Sequence, residues 1–231
     1  MSESPEQRRR EEHEEREEKT ALRAEIRAAR RAQAGQDQGS SAHTQLCMHA
    51  AGLVSQVRPA AVIGYAALPG EPSIDAFLES LAPQTPAFLP ATRRGEPLRL
   101  GRLTGKVAEL PARIWGIREP EDTDTVAEAL ARVPGPADLL VLVPGLAYDG
   151  SGVRLGNGGG FYDRTFGPLG ELAGLARAGD PAAAAVRERL RFVGVCWERE
   201  RVDSLPCEDW DLTVSAVLTE NGVRPVQEAG A

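Results

Sequence analysis

Residues 139–164 read LLVLVPGLAYDGSGVRLGNGGGFYDR. The first five, LLVLV, form a short continuous apolar run, the pattern of a strand buried on both faces. Between Gly156 and Gly160, four of five residues are glycine and Asn157 is the exception. Arg154 and Arg164 stand at the two ends, and Asp163 follows two aromatics, Phe161 and Tyr162. Glycines leave backbone N–H groups unobstructed, arginine forks pair with phosphate oxygens, and an aspartate can hold a divalent cation. A strand, a glycine loop and a helix starting at Phe161 would put free N–H donors at the carboxyl end of a strand, where open α/β sheets bind ligands. These are the parts of a polyphosphate site. Neither common fingerprint is met: the GK[ST] ending of a P-loop is missing, and Phe161 breaks a GxGxxG pattern at its sixth position. A flexible surface turn is the plain alternative for any glycine cluster; the flanking Arg, Tyr and Asp argue for a site.

On either side of this stretch, strand-like runs alternate with helical ones. Residues 61–65 (AVIGY), 87–89, 191–197 (RFVGVCW) and 214–218 (VSAVL) read as strands. Helices are expected over 41–56, over 74–81 with Ser73 as its cap, over 122–132, and over 171–189 with a break near Gly179 and Pro181. Residues 93–105 read as loop or a short edge strand, and 114–120 as a turn-rich connection. Residues 19–34 form an amphipathic helix in which Leu22, Ile26 and Ala29 recur at helical spacing while Arg23, Arg27, Arg30 and Arg31 take other positions. Gly35 ends it. The fold class is therefore α/β: a single-domain, Rossmann-like, mostly parallel sheet with helices on both faces. Residues 1–18 read as a charged tail, helical or disordered, 19–222 as the domain, and 223–231 as a C-terminal tail.

The 231 residues are 42% hydrophobic and 26% charged, which suits one globular domain with a sizeable core. A net charge of −7 argues against general nucleic-acid binding while leaving room for a local basic pocket. Three cysteines, Cys47, Cys196 and Cys207, without a CxxC, read as reduced thiols. No apolar run has the length of a membrane span and no signal-peptide core begins the chain, so a cytoplasmic monomer is expected.

The loop PGLAYD…G-RLG-GGGFYDR resembles the signature of the 5-formyltetrahydrofolate cyclo-ligase family. The resemblance extends to Lys19-Thr-Ala-Leu-Arg23, to YAALPGEPSID at 65–75, to GIREP at 116–120 and to LPCEDWDLTVSAVLTE at 205–220, in the family's order. It implies closure of 5-formyltetrahydrofolate, polyglutamylated or not, to the 5,10-methenyl form, with ATP as co-substrate and Mg²⁺ as cofactor. In that reaction the formyl oxygen attacks the γ-phosphate, N10 attacks the resulting imidate phosphate, and phosphate leaves. Positioning and charge neutralisation then fall to the protein.

By the same resemblance, Lys19, Arg23, Arg154, Leu155, Gly156, Asn157, Gly158, Gly159, Gly160, Phe161, Tyr162 and Arg164 bind ATP. Arg154 and Asp163 carry the catalytic role. Ala66, Glu71, Asn157 and Tyr162 meet the folate, and Asp163 and Asp211 hold Mg²⁺. Taken alone, Lys19 and Arg23 would be ordinary helix charges one turn apart, Glu71 a loop residue and Asp211 a solvated turn. Three positions depart from the family pattern: Asn157 replaces a larger residue, Phe161 a tyrosine, and Trp210 the histidine before Asp211. His13, His43 and His49 lie upstream on helices, with no chemical role. A catalytically weak relative that binds nucleotide or folate for regulation is the alternative from another class. A sugar-phosphate isomerase on a similar sheet is a third reading, against which the arginines and metal-type carboxylate speak.

Overall fold

The computed structural model describes residues 5–37 and 41–226, the side chains of 5–14 and 33–37 excepted. Helices α1 (Pro5–Asp37) and α2 (Ser41–Val57) precede strand β1 (Ala61–Ile63). Helix α3 (Asp75–Glu79) leads to β2 (Ala87–Ala91), β3 (Arg99–Arg102) and β4 (Asp124–Thr125). Helix α4 (Val126–Ala131) is followed by β5 (Leu139–Pro144) and by a small hairpin, β6 (Ala147–Tyr148) with β7 (Arg154–Leu155). Helices α5 (Phe161–Phe166), α6 (Glu171–Arg177) and α7 (Pro181–Arg189) lead to β8 (Leu190–Val195), β9 (Ala216–Thr219) and β10 (Gly222–Pro225).

The main sheet runs in the order β10-β9-β8-β5-β1-β2-β3-β4. Strands β9, β8, β5, β1 and β2 are mutually parallel, and β10 on one side and β3 then β4 on the other are joined by antiparallel pairing. The expected mostly parallel α/β sheet is what the chain builds. Strand β5 shows why helices must cover both faces. Its Leu139, Val141 and Val143 join a core with Val126, Leu130 and Val186, while Leu140 and Leu142 join one with Leu46, Ile74, Phe77 and Leu78. The two sets alternate, as successive strand residues must.

Local chemistry sets the breaks. Thr125 and Glu128 form a reciprocal capping box that starts α4. Asp180 caps α7 by accepting from Ala182 N (2.9 Å) and Ala183 N (3.0 Å), with Pro181 at the first helical position. The expected break near Gly179 and Pro181 is therefore a change of helix.

Four local expectations are corrected. Ser73 does not cap α3: Ile74 is the cap residue, and Ser73 Oγ accepts from Asp75 N at 3.3 Å. Helix α1 continues through Gly35 to Asp37 and reaches back to Pro5, so most of the charged tail is helical; residues 1–4 lie outside the described part. Within α1, Ala29 is exposed, whereas Lys19 and Arg30 are buried together with Ile26. The inner face thus runs 19, 23, 26, 30 and is largely cationic. Finally, residues 223–225 of the expected tail lie in strand β10, which starts at Gly222 and pairs with β9; the Asn221-Gly222 dipeptide after an apolar run is the hairpin signal that marks it. Residues 227–231 lie outside the described part.

Leu22 and Ile26 of α1 pack on Leu146, Ala147, Val153, Leu155 and Leu205, which seats the helix across the β6–β7 hairpin. The connections from β1 to β2 and from β5 to β8 leave in opposite directions along the sheet, so a crevice opens between β1 and β5 at their carboxyl ends. Among the described residues, no helix is long and apolar enough to cross a membrane.

Leu142 is fully buried in β5. Leu142→Ala should lower the unfolding free energy by about 2–5 kcal/mol, read as a fall in the urea midpoint at unchanged slope.

Candidate active site

The glycine loop lies in that crevice and is shaped by its own arginines. Gly158 (φ 89°) and Gly160 (φ 63°) take left-handed backbone that L side chains rarely adopt. A Cβ at Gly156 would stand 2.6 Å from Arg154 Nη1, and one at Gly160 2.6 Å from Arg164 Nη1. The positive φ calls for glycine at 158 and 160, and at 156 a side chain would have to displace the Arg154 guanidinium that passes over the backbone. Helix α5 has only six residues, so side-chain cations rather than a long helix dipole dominate here.

Arg154 is buried and donates from Nη2 to both Asp163 oxygens, at 2.8 and 3.0 Å. Asp163 Oδ1 also accepts from Leu212 N at 3.1 Å. Burial pulls the Arg154 pKa down, but the Asp163 carboxylate outweighs it and the net shift is upward, so the guanidinium stays charged. Its Nη1 makes only a 3.5 Å contact with Pro144 O, and its buried Nε has no hydrogen-bond partner. Arg164 lies over the Phe161 ring and donates to Gly159 O at 2.7 Å.

Helix α1 brings further cations from across the cleft. Lys19 Nζ donates to Asp211 Oδ2 (3.0 Å) and Glu208 Oε1 (3.3 Å). Burial alone would lower the Lys19 pKa; hydrogen bonding and attraction from Asp211, with help from Glu208, make the net shift upward. Arg23 Nε donates to Gly156 O at 2.9 Å, and Arg27 Nη2 to Asn157 O at 2.7 Å. Burial first and neighbouring Arg27 second pull the Arg23 pKa below the usual arginine value. Arg27 and Glu208 are additions to the expected site. The spacing 19, 23, 27 repeats one helical turn and is the signal that would have included Arg27.

The other end of the cleft is more apolar. Tyr65, Ala66 and Leu68, which follow β1, line it with Pro90, Leu98, Trp115 and Ile117. Trp115 sits in a tight turn at φ 58°, is half exposed, and meets Phe161 edge-on at 5.8 Å. Glu71 faces this end; its carboxylate accepts from Leu68 N (3.0 Å) and Asn157 Nδ2 (3.3 Å). The Tyr162 hydroxyl is buried without a partner. The whole cleft measures about 1010 Å³.

The structure brings nearly every expected site residue to this one cleft: Lys19, Arg23, Ala66, Glu71, Arg154, Asp163 and Asp211 line it with residues 156–162 and Arg164. Leu155 does not. It is 1% exposed and packs with Ile26 under α1, so its side chain holds the helix to the hairpin. Asp149, within the same loop motif, is structural too: it accepts from Ser151 N, Val153 N and Leu205 N. Among the described residues, no three acidic, His or Cys side chains form a metal cage. Asp163 and Asp211 are instead joined through the backbone, since Leu212 N bonds Asp163 while Asp211 bonds Lys19. His43 packs edge-on against Trp197, away from the cleft lining.

Sequence comparison matches residues 15–220 to the 5-formyltetrahydrofolate cyclo-ligase family. The chain is 34% identical over 162 residues to the 5-formyltetrahydrofolate cyclo-ligase of Mycolicibacterium smegmatis, covering 68% of this chain and 72% of that protein. In structure it resembles the 5,10-methenyltetrahydrofolate synthetase of Aquifex aeolicus, with a TM-score of 0.64, 22% identity, and coverage of 92% and 95% of the two chains. The corresponding synthetase of Mycoplasma pneumoniae gives a TM-score of 0.59 and 18% identity over 87% of this chain and 98% of that one. At these identities the two structures speak to the fold.

Burial raises the Glu71 pKa above the ordinary carboxyl value, despite the Leu68 N–H and Arg30. The folded state then holds this proton more tightly than the unfolded chain, so its contribution to stability falls as pH rises between the two values. Glu71→Gln removes that loss. Its unfolding free energy relative to the parent should climb across the interval and level off above it, in denaturant titrations at stepped pH.

Proposed function

The chain belongs to the 5-formyltetrahydrofolate cyclo-ligase family and is an enzyme of that class, and on that premise we propose that this cleft closes 5-formyltetrahydrofolate to 5,10-methenyltetrahydrofolate with conversion of ATP to ADP and phosphate. The observation that carries the assignment is convergence. Arg23 and Arg27 from α1 and Arg154 from β7 meet one glycine loop, Lys19 joins them in the same cleft on Asp211, and the cleft also holds an apolar, aromatic recess with the Glu71 carboxylate. A triphosphate suits the cationic part and a pterin the recess, with the loop between them.

In this reading the formyl oxygen bonds to the γ-phosphorus as the bond to ADP breaks. N10 then bonds to the formyl carbon and loses its proton, and the carbon–oxygen bond breaks to release phosphate. No protein nucleophile is required. The chain holds two substrates in line and offsets the charge that moves between phosphate oxygens. Arg154 is suited to offset that charge, because it is buried, stays charged and has donors still free. Lys19 and Arg23 face the same end and exchange acceptors on the protein for phosphate oxygens when ATP binds. Glu71 accepts from N–H donors of the pterin, while Tyr65, Trp115 and Phe161 bury its faces. Ala66 leaves room beside them.

Asp163 and Asp211 would hold Mg²⁺ beside the triphosphate, where the ion supplies neutralisation of phosphate charge. The donor set suits Mg²⁺, which takes one or two carboxylates plus substrate phosphates and rarely a full protein cage. This chemistry needs no membrane or nucleic-acid partner, and free or polyglutamylated folate in the cytoplasm suits it.

Asp163→Asn should lower the rate of methenyl product, followed by its near-ultraviolet absorbance, at least about 100-fold; a normal rate would remove Asp163 from the site. Arg154→Ala should weaken ATP binding by about 10-fold or more in calorimetry. Unchanged nucleotide affinity there would place the triphosphate elsewhere.

A further inference from the structure

Arg30 and Glu200 lie outside the cleft lining, and each is only 5% exposed. They pair fork to fork: Arg30 Nε donates to Glu200 Oε1 at 2.7 Å and Nη2 to Oε2 at 2.8 Å. Nη2 also donates to Gly145 O at 2.7 Å, the first residue after β5. Nη1 turns toward Glu71 Oε1 at 3.5 Å. Glu200 is itself held by Trp197 N at 3.0 Å, and the Trp197 indole donates to Gly70 O at 3.1 Å. The turn at Gly70 (φ 83°) lies on Arg30, so closely that a Cβ there would stand 3.3 Å from Arg30 Cβ.

One guanidinium thus joins α1, the turn carrying Glu71, the link from β5 to the β6–β7 hairpin and the turn after β8. A buried ion pair adds little net stability in general. The arrangement here has a direction, however. Glu200 takes both short bonds and fixes the plane of the fork, and the remaining nitrogen points at the one carboxylate of the set that lines the cleft. We propose that Arg30, clamped by Glu200, is a positioning residue that aims the Glu71 carboxylate into the folate end of the cleft; this rests on the reading of Glu71 as a folate contact.

The charged and titratable groups that face Glu71 are Arg30, Glu200, Tyr65 and Tyr162. Burial keeps both phenols neutral at ordinary pH. Arg30 is therefore the cation that opposes protonation of Glu71. Without it, Glu71 holds its proton to higher pH and ceases to be a pure acceptor.

Steady-state kinetics of the full chain test this with Arg30→Met, Glu71→Gln, the double variant and Glu200→Gln. Arg30→Met should raise KM for 5-formyltetrahydrofolate about tenfold near neutral pH. KM for ATP and kcat should change by less than roughly threefold, and the folate defect should shrink at alkaline pH. In the Glu71→Gln background, Arg30→Met should add no more than about twofold. Glu200→Gln leaves the Arg30 charge in place and removes a like charge facing Glu71, so it should raise the folate KM by loss of aim alone, without recovery at alkaline pH, and it keeps the test open if Arg30→Met does not fold. Additive losses in the double variant, a pH-independent defect in Arg30→Met, or an equal rise in KM for ATP would overturn the role of Arg30 alone. An unchanged folate KM in Glu71→Gln would overturn the reading of the folate end together with it.

Discussion

Both faces of β5 must be kept from water, and the layout of the molecule follows from that requirement. Leu139, Val141 and Val143 need one apolar cover, and Leu140 and Leu142 need another. Helices α2 and α3 provide one, and α4 to α7 the other. Antiparallel strands then lie on either side of the parallel set. With faces and flanks occupied, the chain can open only where strands end. The divergence of the β1 and β5 connections makes the crevice between them the natural place, and the glycine loop falls into it.

Gathering cations around one loop creates a second problem, since like charges repel and buried charges lose hydration. The structure answers by giving each an acceptor in advance. Lys19 rests on Asp211 and Glu208, Arg23 on Gly156 O, Arg27 on Asn157 O, and Arg154 on Asp163. These partners hold the side chains in place across the cleft, with Asp163 and Asp211 as counterions. Fixed, pre-oriented charges are the condition under which electrostatic catalysis is effective.

Much of this is legible in the sequence because it is local. The LLVLV run, the glycines with flanking arginines, and the start of α5 at Phe161 are each written within a few residues and obey short-range rules. What escapes is long-range. Arg30 looks like a solvent-side charge by periodicity, and its burial is made tolerable by distant partners, above all Glu200, 170 positions away. Leu155 sits inside the loop motif, yet faces α1 because the hairpin turns alternate residues to opposite sides. Trp115 reads as part of a connection; its edge contact with Phe161 exists only once two distant turns meet.

The class of fold, the place of the glycine loop and the family of the chain can all be had from the order of its residues. Periodicity, turn chemistry and motif spelling are properties of neighbouring residues, and they survive without coordinates. Which face of α1 turns inward is settled instead by packing in three dimensions. So are the carboxylate that partners each cation and the joining of Glu71, Arg30 and Glu200 into one connected set. The physical reason is that a buried charge is stabilised by whatever opposite charge the fold brings within reach. That neighbour is chosen by packing and cannot be read from position along the chain.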